Sequence, residues 1–352
     1  MGGALSTLAD GLDAPYYNPA NIGDNPWQIE SGRDGNLKHF YLPAFNLSIN
    51  ENTQKLNESF KENNGTADKH VGETLVDAAA GKRQYIRASL TPGVVYGRLM
   101  FVPFVDQQGA AVSNGTDGEI EGHFRAQQGF GLGLSVPLVE DKLYFGVFGY
   151  SSEMTVNRGQ YAYLDLINTE TRPDILKATR YSYSIFGKNA GLLWRNSKVK
   201  LKKTQLRPSV ALVVRNLNNA TVDLKKAPAE PDPEFTEFEI KQDVSLGFSI
   251  SPKLSNWLEM NFLAEAADLT DSEVEADAKI RTGLEFCFFG SGSKAPIKAR
   301  TGYNSAGIAM GIGINLGLIS LEVASYHDKI ITSSGSKADR KTSALLAIDL
   351  AE

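Results

Sequence analysis

The stretch from Ile120 to Leu138 constrains the fold most strongly, because two kinds of residue alternate along it. Apolar residues such as Phe130 and Leu132 occupy the even positions, while polar residues and glycines occupy the odd ones. This period of two predicts a β-strand that is longer than most strands of soluble sheets. Glycine weakens a solvent-facing strand, so the three glycines from Gly129 to Gly133 indicate a face that points into a crowded interior. One apolar face and one polar face over this length are typical of a transmembrane β-barrel.

The same alternation recurs along the chain beyond residue 36 and predicts fourteen strands. Short connections such as Asn315–Gly317 alternate with long ones such as Glu51–Arg83 and His327–Lys341, as expected for the inner turns and outer loops of such barrels. Helical patterns at Thr53–Asn63 and Ala67–Lys82 fall in an outer loop. We therefore expect an all-β protein: a 14-stranded antiparallel transmembrane β-barrel with an N-terminal plug and short helices in its outer loops. Residues 1–35 would form the plug, and residues 36–352 the single barrel domain.

Composition excludes several other classes of protein. No run of 18 apolar residues occurs, so a helical membrane span is not expected. The net charge of −5 argues against a nucleic-acid partner, and one cysteine cannot form an internal disulfide. The first residues do not resemble a signal peptide, so we expect a mature form whose signal peptide has been removed. The expected location is the bacterial outer membrane, in contact with membrane lipid and lipopolysaccharide.

The residues that carry catalysis or bind metals are scattered. The four histidines lie in separate predicted strands and loops, and neither HExxH nor GxSxG occurs. We therefore expect no enzyme activity, no catalytic residues, no metal and no cofactor. A soluble β-sandwich shares the alternation and is the alternative fold. The strand lengths, the inward glycines and the mixed charges on the polar face favour the barrel.

The N-terminal segment contains small residues, an Ala-Asp pair and a Tyr-Asn-Pro-Ala run. It resembles the N-terminal signature of the FadL family of outer-membrane channels and its PorV-type relatives. The matching residues are Gly3, Ala4, Ala9, Asp10, Ala14, Tyr16, Tyr17, Asn18, Pro19 and Ala20. The resemblance implies that this segment folds into the barrel as a plug around Asn18, Pro19 and Ala20, and that the barrel passes hydrophobic small molecules. The alternatives are an oligomeric scaffolding protein with a plugged barrel and no transport, or a general porin.

Charged residues on the polar face of the strands are expected to point into the lumen. They could select a solute, but mutual neutralisation is the favoured interpretation, because opposite charges away from bulk water need partners. These residues are Arg87, Arg125, Glu259, Glu265, Lys279, Arg281, Glu285, Lys298 and Arg300. The lone Cys287 on the same face is interpreted as a small packing residue.

Two further groups carry hypotheses. Tyr144, Phe148 and Tyr150 would line the lumen, where they either bind a hydrophobic ligand or pack against the plug. Small residues would point toward lipid on adjacent strands and form a flat homo-oligomer face, unless they only mark strand ends. These residues are Ala264, Ala266, Ala276, Ala278, Ala295 and Ala299.

Overall fold

The computed structural model describes residues 3–9, 11–22, 38–55, 82–113, 119–139, 142–162, 172–202, 204–229, 231, 233–290, 295–332 and 335–351. The strands are β1 Lys38–Asn50, β2 Arg83–Tyr96, β3 Leu99–Ser113, β4 Glu119–Val139, β5 Leu143–Ala162, β6 Arg180–Arg195, β7 Lys200–Leu201, β8 Thr204–Gln205, β9 Ser209–Arg215, β10 Thr221–Lys226, β11 Asp243–Ile250, β12 Leu258–Ala266, β13 Ile280–Phe288, β14 Ile297–Asn304, β15 Gly307–Asn315, β16 Ile319–Thr332 and β17 Gly335–Ala351. The α-helices are α1 Ala14–Tyr17, α2 Arg172–Ala178 and α3 Pro233–Thr236, and 3₁₀ turns lie at Gly11–Asp13 and Pro19–Asn21. None of these described helices is long and apolar enough to cross a bilayer.

The wall closes because β1 pairs with β17 as well as with β2, and every pairing in the wall is antiparallel. Strand β6 pairs with β9 near its inner end and with β10 near its outer end, so β9 and β10 share one position in the wall. The wall therefore has fourteen strand positions, and the predicted fold class is confirmed. Closure removes the free sheet edges that a lipid environment could not satisfy.

Side chains alternate across the wall as the sequence predicts. On β4, Phe130 and Leu132 are exposed on the outside, whereas Gly131 and Gly133 are buried on the inside. On β5 the even-numbered residues point inward, because Tyr150 lies opposite the inward Gly131 and Gly149 lies opposite the outward Leu132. The exposed apolar side chains thus form an outer band, and the polar faces of all the strands enclose a lumen.

The connections differ from the prediction at the outer end, which we define as the end that carries the long loops. The predicted outer loop His327–Lys341 is wrong, because β16 and β17 continue through it as a paired hairpin to Thr332 and Gly335. In the sequence of this extension, polar residues occupy odd and even positions alike and Ile330 and Ile331 are adjacent, so it lacks the alternation that identified the other strands. At the inner end, the predicted turn Asn196–Thr204 contains the short hairpin of β7 and β8.

The outer loops contain helices, as predicted, though not all of them can be assessed. Residues 51–55 are helical, but most of the predicted helices Thr53–Asn63 and Ala67–Lys82 lie outside the described residues. Helix α3 packs through Phe235 against Tyr181 and Tyr183 of β6, and the Tyr183 hydroxyl donates to the Phe235 carbonyl at 2.7 Å. A described loop helix therefore covers part of the outer end of the wall.

The closed wall predicts resistance to detergent. Because its backbone hydrogen bonds form a ring without free edges, the unheated protein should keep its β-type circular dichroism in sodium dodecyl sulfate and migrate faster than the boiled protein. Electrophoresis of heated and unheated samples measures this. Identical mobility, or a helical spectrum, would contradict the closed barrel.

Candidate functional site

The N-terminal segment lies inside the barrel, and Asn18 holds its turn together. The Asn18 side chain is fully buried; its Nδ2 donates to the Ser6 carbonyl at 3.0 Å, and its Oδ1 accepts from the Ala20 N–H at 3.0 Å. An asparagine before proline is restricted to extended or turn geometry, and here it precedes the 3₁₀ turn that Pro19 begins. Described residues 3–9 and 11–22 form what we call the plug. The predicted residues Asn18, Pro19 and Ala20 lie at its buried centre, whereas residues 23–37 of the predicted boundary lie outside the described residues.

Wall glycines allow the plug to approach the strands closely. A methyl group at Gly191 of β6 would lie 2.0 Å from Asn18 Oδ1, and one at Gly146 of β5 would lie 2.2 Å from the carbonyl carbon of Pro19. No side chain larger than hydrogen fits at such distances, so these two positions require glycine for space. They fix the depth at which the turn at Asn18 and Pro19 sits.

Charged wall residues hold the polar backbone of the plug. Glu265 of β12 accepts from the N–H groups of Leu5 and Ser6 at 3.1 and 3.0 Å. Arg195 of β6 donates to Asn21 Oδ1 at 2.7 Å and to the Thr7 carbonyl at 3.1 Å. Because charge-assisted hydrogen bonds are stronger than neutral ones, these contacts anchor the plug to β6 and β12.

The opposite side of the plug is apolar. Ala14 and Ile22 pack in a buried cluster with Val95, Met100 and Val102, which lie on the inner faces of β2 and β3. Leu12, Tyr16 and Tyr41 border this cluster, and a methyl group at Gly93 would lie 2.3 Å from Leu12 Cδ2. We call this contact between the plug and β2–β3 the apolar seam.

Of the three aromatic residues proposed as ligand contacts, Phe148 and Tyr144 pack against the plug, and Tyr150 stacks on Phe148. Phe148 is 1% exposed and contacts the Tyr16 ring edge-on at a centroid distance of 5.4 Å. Tyr144 is also buried, below the Arg98 guanidinium, and the Tyr150 hydroxyl donates to Asn216 Oδ1 at 2.8 Å. This geometry favours packing against the plug over an open ligand site.

A cavity of about 1040 Å³ occupies the other side of the lumen. Plug residues Leu5, Leu8 and Tyr17 border it on one side, and the inner faces of β13 to β17 border it on the other. Burial, with a smaller contribution from the Asp13 carboxylate, raises the pKa of Tyr17 to about 12, so the cavity meets a neutral hydroxyl there. The charged lining residues are Asp13, Arg83, Arg87, Arg281, Glu285, Lys298, Arg300, Glu322, Asp328 and Lys341.

Most of the predicted lumen charges form ion pairs. Arg300 bridges Glu285 and Glu322, each at 2.6 Å. The remaining pairs are Arg87–Asp106 at 2.7 Å, Arg125–Asp106 at 3.0 Å, Glu259–Arg207 at 3.0 Å, Glu265–Arg215 at 3.6 Å and Arg281–Asp268 at 2.7 Å. Lys279 lies just before β13 and donates to the Asp271 carbonyl at 2.7 Å, while Lys298 lines the cavity. Sequence reasoning predicted that these charges neutralise one another but named no individual pair.

Several partners in these pairs were missed from the sequence. Asp106 and Arg215 continue the inward alternation of their strands by one position, so extending the pattern would have found both. Arg207 has the inward parity of the strand predicted from Leu206 to Val214, but it lies between β8 and β9 with a positive φ of 46°, where strand alternation does not determine the direction of a side chain. Cys287 is fully buried beside Asn261 and Glu285, in keeping with a packing role. Among the described residues, no group of three or more histidine, cysteine or acidic side chains could hold a metal ion.

Three prolines interrupt strand pairing at one level of the wall. Pairing of β2 with β3 stops after Leu90–Val105 and resumes at Val94–Phe101, which places Pro92 opposite Pro103. On the other side of Pro92, β1 has a bulge that contains Pro43. Proline has no N–H to donate, so this proline row weakens the ladder directly outside the apolar seam.

The six alanines do not form one lipid-facing surface. Ala264, Ala266 and Ala299 do lie on the outward faces of β12 and β14, but β13 separates them with Thr282, Leu284 and Phe286. The other three predictions are wrong: Ala295 is fully buried, Ala278 borders the cavity, and Ala276 belongs to the loop before β13. Ala276, Ala278 and Ala295 fall in connections, where the strand alternation no longer determines direction.

The close approach of Gly146 to Pro19 predicts that one added methyl group at this position displaces the plug. Gly146→Ala should displace the turn at Pro19, because overpacking costs about 1–3 kcal/mol and the clashing atoms are backbone. Chymotrypsin should then cleave the plug at Tyr16 and Tyr17 faster than in the parent protein. Gly149→Ala on the same strand is the matched control, since no atom lies within 4 Å of its added methyl. Equal cleavage of the two variants would show that Gly146 does not seat the plug.

Neither the models of known protein families nor the sequences of curated proteins match this chain. Solved structures do match along nearly the whole length. The TodX deltaS2S3 mutant, a monoaromatic hydrocarbon channel, is 11% identical over 97% of this chain and 95% of its own, with a TM-score of 0.50. The toluene transporter TbuX of Ralstonia pickettii is 14% identical over 99% and 96%, with a TM-score of 0.48. A Pseudomonas aeruginosa FadL homologue is 8% identical over 99% and 95%, with a TM-score of 0.30.

At these identities the likeness concerns the fold. Closure at fourteen strand positions, the short inner turns and coverage of nearly the whole of both chains agree with it. The chain therefore has the fold of the TodX channel, a closed antiparallel β-barrel of the outer-membrane type.

Proposed function

We propose that this protein is an outer-membrane channel that passes hydrophobic small molecules, with the plug as its closure. The observation that carries the proposal is the position of the apolar seam directly inside the proline row. The seam is lined by Val95, Met100 and Val102, which are too apolar to suit a water-filled pore. Ligand sites for hydrophobic molecules are largely apolar in this way, with few polar contacts.

The path runs between the plug and the inner faces of β2 and β3. Leu12 and Ile22 occupy the space in front of Gly93 and Gly133, so the path is closed while the plug is seated. A small displacement of the plug would free this strip of the wall. The polar contacts of Arg195 and Glu265 lie on the other side of the plug and hold it in the seated position.

The proline row gives the path an exit. Outward of the seam, the wall lacks the N–H donors that Pro92 and Pro103 would otherwise supply to the ladder. A molecule that has entered the seam can therefore leave sideways into the apolar phase, and it need not cross the polar inner end of the barrel. The exposed side chains Val94 and Phe101 next to the row are apolar, as this route requires.

Restoring the ladder tests the exit. The double variant Pro92→Val and Pro103→Val supplies both missing donors and should lower the uptake of N-phenyl-1-naphthylamine, an apolar fluorescent probe, into Gram-negative cells that express the protein. Pro137→Val is the control, because Pro137 is an exposed strand proline outside the row. Uptake at the parent rate in the double variant would exclude the proline row as an exit.

Locking the plug tests the closure. A Cβ at Gly247 would lie 3.4 Å from the Ser6 Cβ, close to the spacing of about 3.5–4.5 Å that a disulfide needs. In a Cys287→Ala background, the pair Ser6→Cys and Gly247→Cys should therefore cross-link the plug to β11. Probe uptake should fall when the pair is oxidised and return with a reductant. Equal probe uptake by the oxidised and the reduced protein would contradict the proposed role of the plug.

A further inference from the structure

The two sides of the lumen differ in chemistry, because the apolar seam lies on one side of the plug and charged residues line the cavity on the other. We propose that the cavity along β13–β17 is a second, hydrophilic path, which conducts small hydrated ions past the seated plug. This inference does not depend on the hydrophobic path. It rests on the length of the cavity along β14, on its lining and on a buried polar side chain that borders it.

The cavity extends along most of the length of one strand, β14. On β14 it is bordered by Asn304, at the outer turn, and by Lys298, one residue from the inner end of the strand. These residues lie six positions apart, which corresponds to roughly 20 Å along a strand that rises about 3.3 Å per residue. The plug leaves most of this side open because its anchors and close contacts lie mainly on β2 to β6, β9, β11 and β12, and among its described residues only Gly3 approaches β13, at Arg281.

The lining suits ions and water. Arg300, Glu285 and Glu322 form one charged group at mid-height, and Arg281 pairs with Asp268 above it. Lys298 contributes a cation near the inner end and has no ion pair among the described residues. Both signs of charge on facing strands are typical of water-filled barrel interiors, whereas an apolar molecule would have to desolvate them.

A buried amide indicates that water reaches below the charged group. Asn261 of β12 is 1% exposed and borders the cavity, and its Nδ2 donates to Glu285 Oε1 at 2.8 Å. Its Oδ1 has no protein hydrogen-bond partner in the described part of the chain. The buried hydroxyls of Ser249, on the neighbouring strand β11, and of Ser251, just after that strand, also have no protein hydrogen-bond partner in the described part of the chain. Buried oxygens of this kind are normally satisfied by water, so a hydrated path continues toward the inner end.

Single-channel recording in potassium chloride tests the proposal on the full chain with its plug cross-linked. The oxidised pair Ser6→Cys and Gly247→Cys should conduct at the level of the reduced protein, because the path runs beside the plug. Loss of conductance on oxidation would overturn the proposal and would leave the hydrophobic path untouched. Retained conductance together with blocked uptake of the apolar probe would establish two separate paths.

Tryptophan substitutions on β15 and β16 test whether ions pass through the cavity. Ala309→Trp, which puts about 150–250 Å² of side chain into the cavity, should lower the conductance at least about twofold. Ala324→Trp does the same from β16 and serves if the first variant does not fold. Ala344→Trp on the exposed outer face of β17 is the matched control and should leave the conductance unchanged.

The charge of Lys298 provides a separate readout. Lys298→Gln removes the cation beside Glu285 and should shift the reversal potential in a salt gradient toward cation selectivity. Lys225→Gln, on the exposed outer strand β10, is the control and should not shift it. An unchanged reversal potential in Lys298→Gln, or full conductance in both tryptophan variants, would show that ions do not use this path.

Discussion

The fold depends on one requirement: backbone hydrogen bonds inside a bilayer have to be made within the protein. Closing β1 onto β17 meets this requirement for the wall as a whole. The same requirement makes the positions without a backbone N–H donor significant. Where Pro43, Pro92 and Pro103 follow one another across three strands, the wall lacks donors that nothing in the membrane can replace. Missing donors in the strand ladder lower the stability of the barrel. We therefore interpret this gap as functional.

The plug divides the lumen according to the chemistry of its own two sides. Its apolar residues Leu12, Ala14 and Ile22 contact β2 to β4, while its backbone is held by Arg195 and Glu265 on the other side. Beyond the plug, the cavity is lined by ion pairs centred on Arg300. An apolar seam and a charged cavity thus lie on either side of a plug of about twenty residues. Two cargoes of opposite polarity could each find a compatible surface in the same barrel.

Small residues carry much of this arrangement. Gly146 and Gly191 are the points at which the plug comes nearest to the wall, and each faces an atom of Asn18 or Pro19. The inward glycines that identified the lumen in the sequence therefore have two roles. Gly131 makes room for the Phe148 ring, and others make room for the plug itself. The alanines predicted the outer surface less well. An alanine in a connection, such as Ala295, does not follow the strand alternation, so its position in the sequence does not tell which way it points.

The sequence by itself determined the barrel. A period of two over fourteen segments fixes which side chains face lipid, and the short inner turns fix the order of the strands, since both depend on local geometry. It also placed Asn18 and Pro19 in the plug, although through the resemblance of the N-terminal segment to a known family, since local turn chemistry alone does not say where a turn lies. Only the tertiary structure decided how the lumen is divided. The pairing of Arg207 with Glu259, the contact of Gly191 with Asn18 and the alignment of three prolines join residues far apart in the chain. Their meeting follows from strand register and plug depth, which no single segment specifies.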